Sequence, residues 1–266
     1  GTSLATPLVS GAAALVWQAF PYFSNHLVRQ TLLGTARDLG TPGVDATYGY
    51  GLLDVGKAVQ GPSRFDWDTV TVSFDNVTSV WSNDIQGRGG LVKRGSGTLV
   101  LNGAARQQGG TAVEGGTLRI AQSLMAGVRV APGGTLALGR GTPSSGAIIE
   151  GPVVNEGTLL LDSGAATMAN YSQYPSGRLA LMIGSRLDVS VTAKLDGNLH
   201  VIGVLPGYVT SSREVFLRAG SISGTFSSLT SAPNVLMTAT LGYDFTQVWL
   251  GITRLVVTAA AQSMGL

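Results

Sequence analysis

Gly97-Thr98-Leu99-Val100-Leu101 and Gly116-Thr117-Leu118-Arg119-Ile120 are two copies of one unit, a glycine and a threonine leading into alternating apolar positions. The unit returns as Gly134-Thr135-Leu136-Ala137-Leu138 and Gly157-Thr158-Leu159-Leu160-Leu161. Two altered copies follow, Gly177-Arg178-Leu179-Ala180-Leu181 and Gly197-Asn198-Leu199-His200-Val201. The first leucine of each unit falls at 99, 118, 136, 159, 179 and 199, in steps of 19, 18, 23, 20 and 20 residues. One short strand and a glycine corner cannot bury an apolar face alone, but stacked copies bury a continuous one. Steps near 20 residues without helical periodicity fit one coil of a parallel β-helix. At about 4.8 Å between stacked strands, six coils make a rod roughly 30 Å long.

Two other arrangements compete for the same pattern. A β-sandwich places turns every 8–12 residues, and runs such as Thr111-Ala112-Val113 and Val128-Arg129-Val130 could supply its extra strands. A calcium-binding β-roll needs an aspartate in each Gly-Gly-x-Gly-x-Asp turn. Here the turns carry Thr, Ser, Arg and Asn. The β-helix is the reading favoured over both.

Outside the repeat the composition changes. The chain of 266 residues holds 38 glycines, no cysteine, and a net charge of +2 from 17 basic and 15 acidic residues. Only 12% of residues are charged, against roughly 25% in ordinary soluble proteins. That sparse, balanced charge offers no footprint for nucleic acid or an anionic membrane. The absence of cysteine excludes disulfides, cysteine zinc sites and thiol catalysis. No apolar run reaches the length of a membrane-spanning helix.

Residues 1–60 read as helical. Ala12 to Trp17 form an apolar run, Pro7 suits a first helical turn and Pro21 closes the segment. A helix apolar all round is expected to be buried. Ser24 can cap a second helix with Leu27, Val28, Thr31 and Leu32 on one face, and Gly34 and Thr41-Pro42-Gly43 break it. After Gly61-Pro62 the helical period disappears.

Gly1-Thr2-Ser3-Leu4-Ala5-Thr6-Pro7 resembles the nucleophile motif Gly-Thr-Ser-x-Ala-x-Pro of the subtilisin-like serine proteases. Physical reasons support Ser3 as the candidate catalytic residue. It precedes a helix, so its backbone N–H sits at the positive end of the dipole and can help bind an oxyanion. Small neighbours allow a peptide to approach. The resemblance continues through Leu32-Leu33-Gly34-Thr35-Ala36-Arg37-Asp38-Leu39-Gly40, Tyr48-Gly49-Tyr50-Gly51-Leu52-Leu53-Asp54 and Lys57-Ala58-Val59. It implies an Asp–His–Ser triad whose Asp and His, with the oxyanion Asn, lie upstream of Gly1, and it leaves this piece alone inactive. His26 and His200 read as surface or core histidines. Asp38, Asp45 and Asp54 read as turn and capping residues. In isolation the first 60 residues, without the sheet they should pack against, are expected to be loose.

The stretch Gly89-Gly90-Leu91-Val92-Lys93-Arg94-Gly95-Ser96-Gly97-Thr98-Leu99-Val100-Leu101-Asn102-Gly103, continued by Gly109-Gly110-Thr111-Ala112-Val113-Glu114-Gly115-Gly116-Thr117-Leu118, resembles the transport-associated repeat of bacterial autotransporter passengers. Its usual Asn-Thr-Tyr-Ser-Gly linker is replaced by Ala104-Ala105-Arg106-Gln107-Gln108. Gly220 to Phe226 and Tyr243 to Leu250 look like the last coils of such a passenger.

The combined expectation is a mainly β chain, a right-handed parallel β-helix preceded by the helical C-terminal remnant of an α/β subtilisin-like domain. The boundaries read as 1–60 peptidase remnant, 61–88 linker and entry strands, 89–207 β-helix, 208–254 passenger cap, and 255–266 the start of a linker to an outer-membrane barrel. The resemblance implies protein or peptide substrates, no nucleic acid, and a place at the Gram-negative cell surface or outside it. No cofactor is evident; structural calcium, frequent in the family, is expected only in the upstream part of the peptidase domain. The rival reading is an adhesin or structural passenger with an inactive protease end. Its aromatics, among them Trp67, Trp81, Tyr171, Tyr174 and Trp249, do not follow the repeat period of a sugar-binding ladder.

Overall fold

The computed structural model describes residues 1–141 and 146–258. Three helices come first: α1 (Thr2–Ala19), α2 (Asn25–Thr35) and α3 (Val55–Ala58). The strands then begin with β1 (Val70–Ser73), β2 (Thr78–Trp81), β3 (Leu91–Arg94), β4 (Thr98–Leu101), β5 (Thr111–Val113), β6 (Gly116–Ile120) and β7 (Ser123–Leu124). They continue with β8 (Val128–Val130), β9 (Gly134–Leu138), β10 (Ile148–Ile149), β11 (Val153–Asn155), β12 (Thr158–Leu161) and β13 (Ala165–Gln173). Longer strands close the chain: β14 (Arg178–Ile183), β15 (Arg186–Leu195), β16 (Asn198–Val204), β17 (Arg213–Gly224), β18 (Ser228–Ser231), β19 (Val235–Tyr243) and β20 (Gln247–Val257).

The strands form two sheets. One has eight strands in the order β2-β4-β6-β9-β12-β14-β16-β18; the other runs β1-β3-β5-β8-β11-β13-β15-β17-β20-β19, with β7 and β10 alongside. Every pairing is parallel except β17 with β20 and β19 with β20. This is a parallel β-solenoid that ends in an antiparallel hairpin.

Register shows why the repeat builds it. Leu99, Leu118, Leu136, Leu159, Leu179 and Leu199 stack as direct partners, and each is fully buried. Two residues on, Trp81, Leu101, Ile120, Leu138, Leu161, Leu181 and Val201 form a second buried row. Thr78, Thr98, Thr117, Thr135 and Thr158 make the outward row beside them. Period-two alternation therefore fixes both register and core. Glycine is required at the corners: at Gly116, φ is +61°, and a Cβ there would collide with the carbonyl oxygens of Gly95 and Gly97. Arg119 reaches over the small Ala137 to a bidentate pair with Asp162, at 3.0 and 2.8 Å.

Three features differ from the sequence expectation. Stacking starts before residue 89, because β1 and β2, in the stretch read as linker and entry strands, already pair in parallel with β3 and β4. Residues 255–257, read as linker, complete β20 against β19; the rest of that linker, from 259, lies outside the described residues. The third is α1, which is buried only at Ala12 and Val16. Leu4, Leu8, Val9, Leu15 and Trp17 are exposed, because α2 and α3 pack on the face of the helix that carries Ala12 and Val16.

Candidate active site

Ser3 lies in the first turn of α1, which begins at Thr2 with Gly1 at its N-cap and no side-chain cap. The first turn closes through Leu4 N–H and Ala5 N–H, both donating to the Gly1 carbonyl at 3.0 and 3.3 Å. The Ser3 N–H precedes every intrahelical acceptor, so it stays free at the positive end of the helix. Pro7 sits in the second turn, not the first. It has no N–H to give the Ser3 carbonyl four residues back, so that oxygen is also left open. Ser3 itself is exposed. Thr6 and Ser10 hydroxyls turn back onto the carbonyls of Thr2 and Thr6. Ser3 is thus a hydroxyl beside a free amide on an open helix start.

Among the described residues, no histidine or carboxylate hydrogen-bonds the Ser3 hydroxyl. His26 is exposed, and its backbone N–H donates to Asn25 Oδ1 at 2.8 Å. His200 lies far along the rod on β16, with Nδ1 2.7 Å from Thr230 Oγ1. Desolvation, with Arg178 nearby, holds its pKa below the usual histidine value. Asp38 accepts from Gly43 N–H at 2.7 Å. Asp45 accepts from Thr47 and Tyr48 N–H, both at 2.7 Å, and those bonds push its pKa down. Asp54 caps α3 by accepting from Lys57 N–H at 2.9 Å. Each of the three aspartates holds a turn or a helix start. No group of three His, Asp or Glu side chains converges as a metal site among the described residues, and no helix there is long and apolar enough to cross a membrane.

A cleft of about 450 Å³ opens between the 36–50 loop and the first coil, lined in part by Arg37, Asp38, Tyr50, Lys57 and Arg64. Ser3 is not part of it. What the sequence reading missed is the joint below α1. Phe20-Pro21-Tyr22-Phe23 reads locally only as a helix stop, yet its rings meet Phe74 and Trp81, more than fifty residues away. No periodic signal marks such a contact.

Residues 1–51 match the subtilase family, and residues 91–120 match the passenger-associated transport repeat. The chain is similar to serine-protease autotransporters. It is 35% identical to the Neisserial autotransporter lipoprotein NalP of Neisseria meningitidis serogroup B, over 87% of this chain and 22% of that protein. It is 27% identical to an extracellular serine protease of Serratia marcescens, over 96% of this chain and 29% of that protein. A serotype-specific antigen of Mannheimia haemolytica is 39% identical over 39% of the chain and 11% of its own length. The chain therefore spans less than a third of the length of these curated relatives. The subtilase match covers the helical segment with Ser3, and the transport repeat falls on β3 to β6 of the solenoid.

Proposed function

We propose that this chain supplies the nucleophile of a subtilisin-like serine endopeptidase carried on an autotransporter, and that the nucleophile is Ser3. The observation that carries the reading is the match of residues 1–51 to the subtilase family with Ser3 at an open helix start. In this mechanism Ser3 Oγ attacks the carbonyl carbon of a peptide bond in a protein substrate. A histidine elsewhere in the whole protein accepts the Oγ proton, oriented by an aspartate, and returns a proton to the departing amine. The free Ser3 N–H donates to the oxygen that gains negative charge, where one such donor is worth about 10²–10³ in rate. The chain alone, without a histidine at Ser3, does not turn over.

The solenoid in this reading is stalk and secretion scaffold, displayed at the Gram-negative cell surface or released from it and tied to the outer membrane through a barrel. Each coil stacks on the one before, which suits vectorial folding after passage through a pore. The transport repeat supports this role.

The test is active-site labelling of the whole protein with a fluorophosphonate, which modifies only an activated serine. The parent is expected to label and Ser3→Ala to lose both label and peptide hydrolysis. Equal labelling and hydrolysis by Ser3→Ala would refute the assignment. An unlabelled, inert parent would favour the passenger as a surface adhesin with a silent protease end.

A further inference from the structure

The end coil of a parallel solenoid has a face with no neighbouring coil, and terminal units need a cap. Here the first coil is an end: among the described residues β1 pairs only with β3 and β2 only with β4. Its inward-facing apolar residues are nevertheless buried, with Phe65 and Trp81 at 0% exposure and Val72 at 2%. The cover comes from the turn between α1 and α2. Phe20 and Phe23 stack at 4.6 Å between ring centroids. Phe23 meets Trp81 edge-on at 5.8 Å, and Tyr22 lies 4.2 Å from Phe74.

The contact is directional as well as apolar. The Tyr22 hydroxyl accepts from Trp81 Nε1–H at 2.9 Å and shares a hydrogen bond of 2.7 Å with Ser79 Oγ. Trp17 Nε1–H donates to the Phe23 carbonyl at 2.7 Å, tying the turn back to α1. Asn83, two residues past β2, donates to the carbonyls of Lys57 and Gly61 at 2.8 and 2.7 Å, a second tie between the helices and the coil. Ala12, Val16, Leu27 and Leu32 join the same continuous apolar cluster as Trp81, Leu99 and Leu101.

We propose that residues 20–23 are the N-terminal cap of the solenoid, and that the helical segment and the first coil open and close as one cooperative unit. The subtilase segment is then no appendage on a flexible tether. The far end of the helix bearing Ser3 is seated on the rod, so an unstacked first coil leaves that helix unseated. The inference concerns the joint alone and stands whether or not Ser3 is the nucleophile.

The test is native-state hydrogen exchange, read by mass spectrometry on the full chain, for Tyr22→Phe and Trp81→Phe. Each keeps a ring and removes one side of the bridging hydrogen bonds, one from the helical side and one from the rod side. Loss of a buried hydrogen bond that strands its partner predicts about tenfold or more faster exchange in the affected unit. Both variants are expected to speed exchange in α2 and in β1–β2 together, with β12–β16 unchanged. A variant that speeds exchange on one side of the joint only, or on neither side, overturns the proposal. Two-sided loss in either variant, should the other fail to fold, still supports it.

Discussion

Leu159, Leu160 and Leu161 offer a direct test of the register, because three identical side chains sit consecutively on one strand. Leu159 and Leu161 are 0% and 1% exposed, while Leu160 points outward and is half-buried. Leu159 stacks between Leu136 and Leu179, both fully buried, so no solvent can fill a space left there. Truncation to alanine removes three carbons, about 2.4 kcal/mol at ~0.8 per methylene. A residual cavity of roughly 50 Å³ adds about 1 kcal/mol at ~24 cal/mol per Å³. Leu159→Ala and Leu161→Ala should each cost about 3–4 kcal/mol, and Leu160→Ala less than ~1. The assay is urea unfolding followed by far-ultraviolet circular dichroism, comparing midpoints at unchanged slope. A Leu160→Ala variant as unstable as its two neighbours would refute the inward–outward assignment of the eight-stranded sheet.

Two further expectations follow from titratable groups in the core. Burial pushes the Tyr22 pKa up to about 12, against bonds from Ser79 and Trp81 that lower it. The unfolded chain releases this proton first, near pH 10, so the folded state loses up to roughly 2–3 kcal/mol as pH rises from 10 to 12. Tyr22→Phe should fall less steeply than the parent in denaturant midpoints taken from pH 8 to 11, and equal slopes would exclude this source. Lys93 is fully buried, with Nζ donating to the carbonyls of Arg94, Gly95 and Gly115 at 2.7, 3.0 and 3.3 Å. Burial lowers its pKa below the usual lysine value. The folded state therefore sheds its proton first, and this group makes stability rise with pH as the usual value is approached from below. Lys93→Met should abolish that rise and cost about 1–3 kcal/mol, because the carbonyls lose their donors. A methionine variant as stable as the parent in thermal unfolding would show that water satisfies them.

Much of the fold is legible in the sequence because the solenoid writes its geometry locally. A glycine marks each corner, through a positive φ at Gly116 and Gly197 and through the close approach of neighbouring carbonyls at Gly134 and Gly157, and the leucine step sets the coil. The capping roles of Ser24 and Asp54 are local for the same reason, one side chain and a backbone N–H three residues on. Ser3 is marked only by its motif, and its partners in the proposed reaction are not near it in this chain. The exposure of α1 is not legible locally, because an apolar helix records that something should cover it, not whether these residues do. The aromatic joint was invisible for a different reason. Tyr22 and Trp81 are 59 residues apart, and neither repeats.

One interior row connects the repeat to its polar exceptions. Val72, Lys93, Val113, Val130, Asn155 and Gln173 are partners in register along the long sheet, so lysine, asparagine and glutamine occupy places where valine otherwise stands. Each answers inward-facing carbonyls at a corner. Asn155 Nδ2 donates to the Arg178 carbonyl at 2.9 Å and to Tyr171 Oη at 3.0 Å. Gln173 Nε2 donates to the carbonyls of Gly177, Asp196 and Asn198 at 3.2, 2.7 and 3.1 Å. A buried carbonyl without a donor costs about as much as a lost hydrogen bond. Parallel pairing leaves such oxygens wherever the chain turns between sheets. A polar residue in this row is thus the consequence of a corner that cannot satisfy itself, and Lys93, inside the segment that matches the transport repeat, is one such residue.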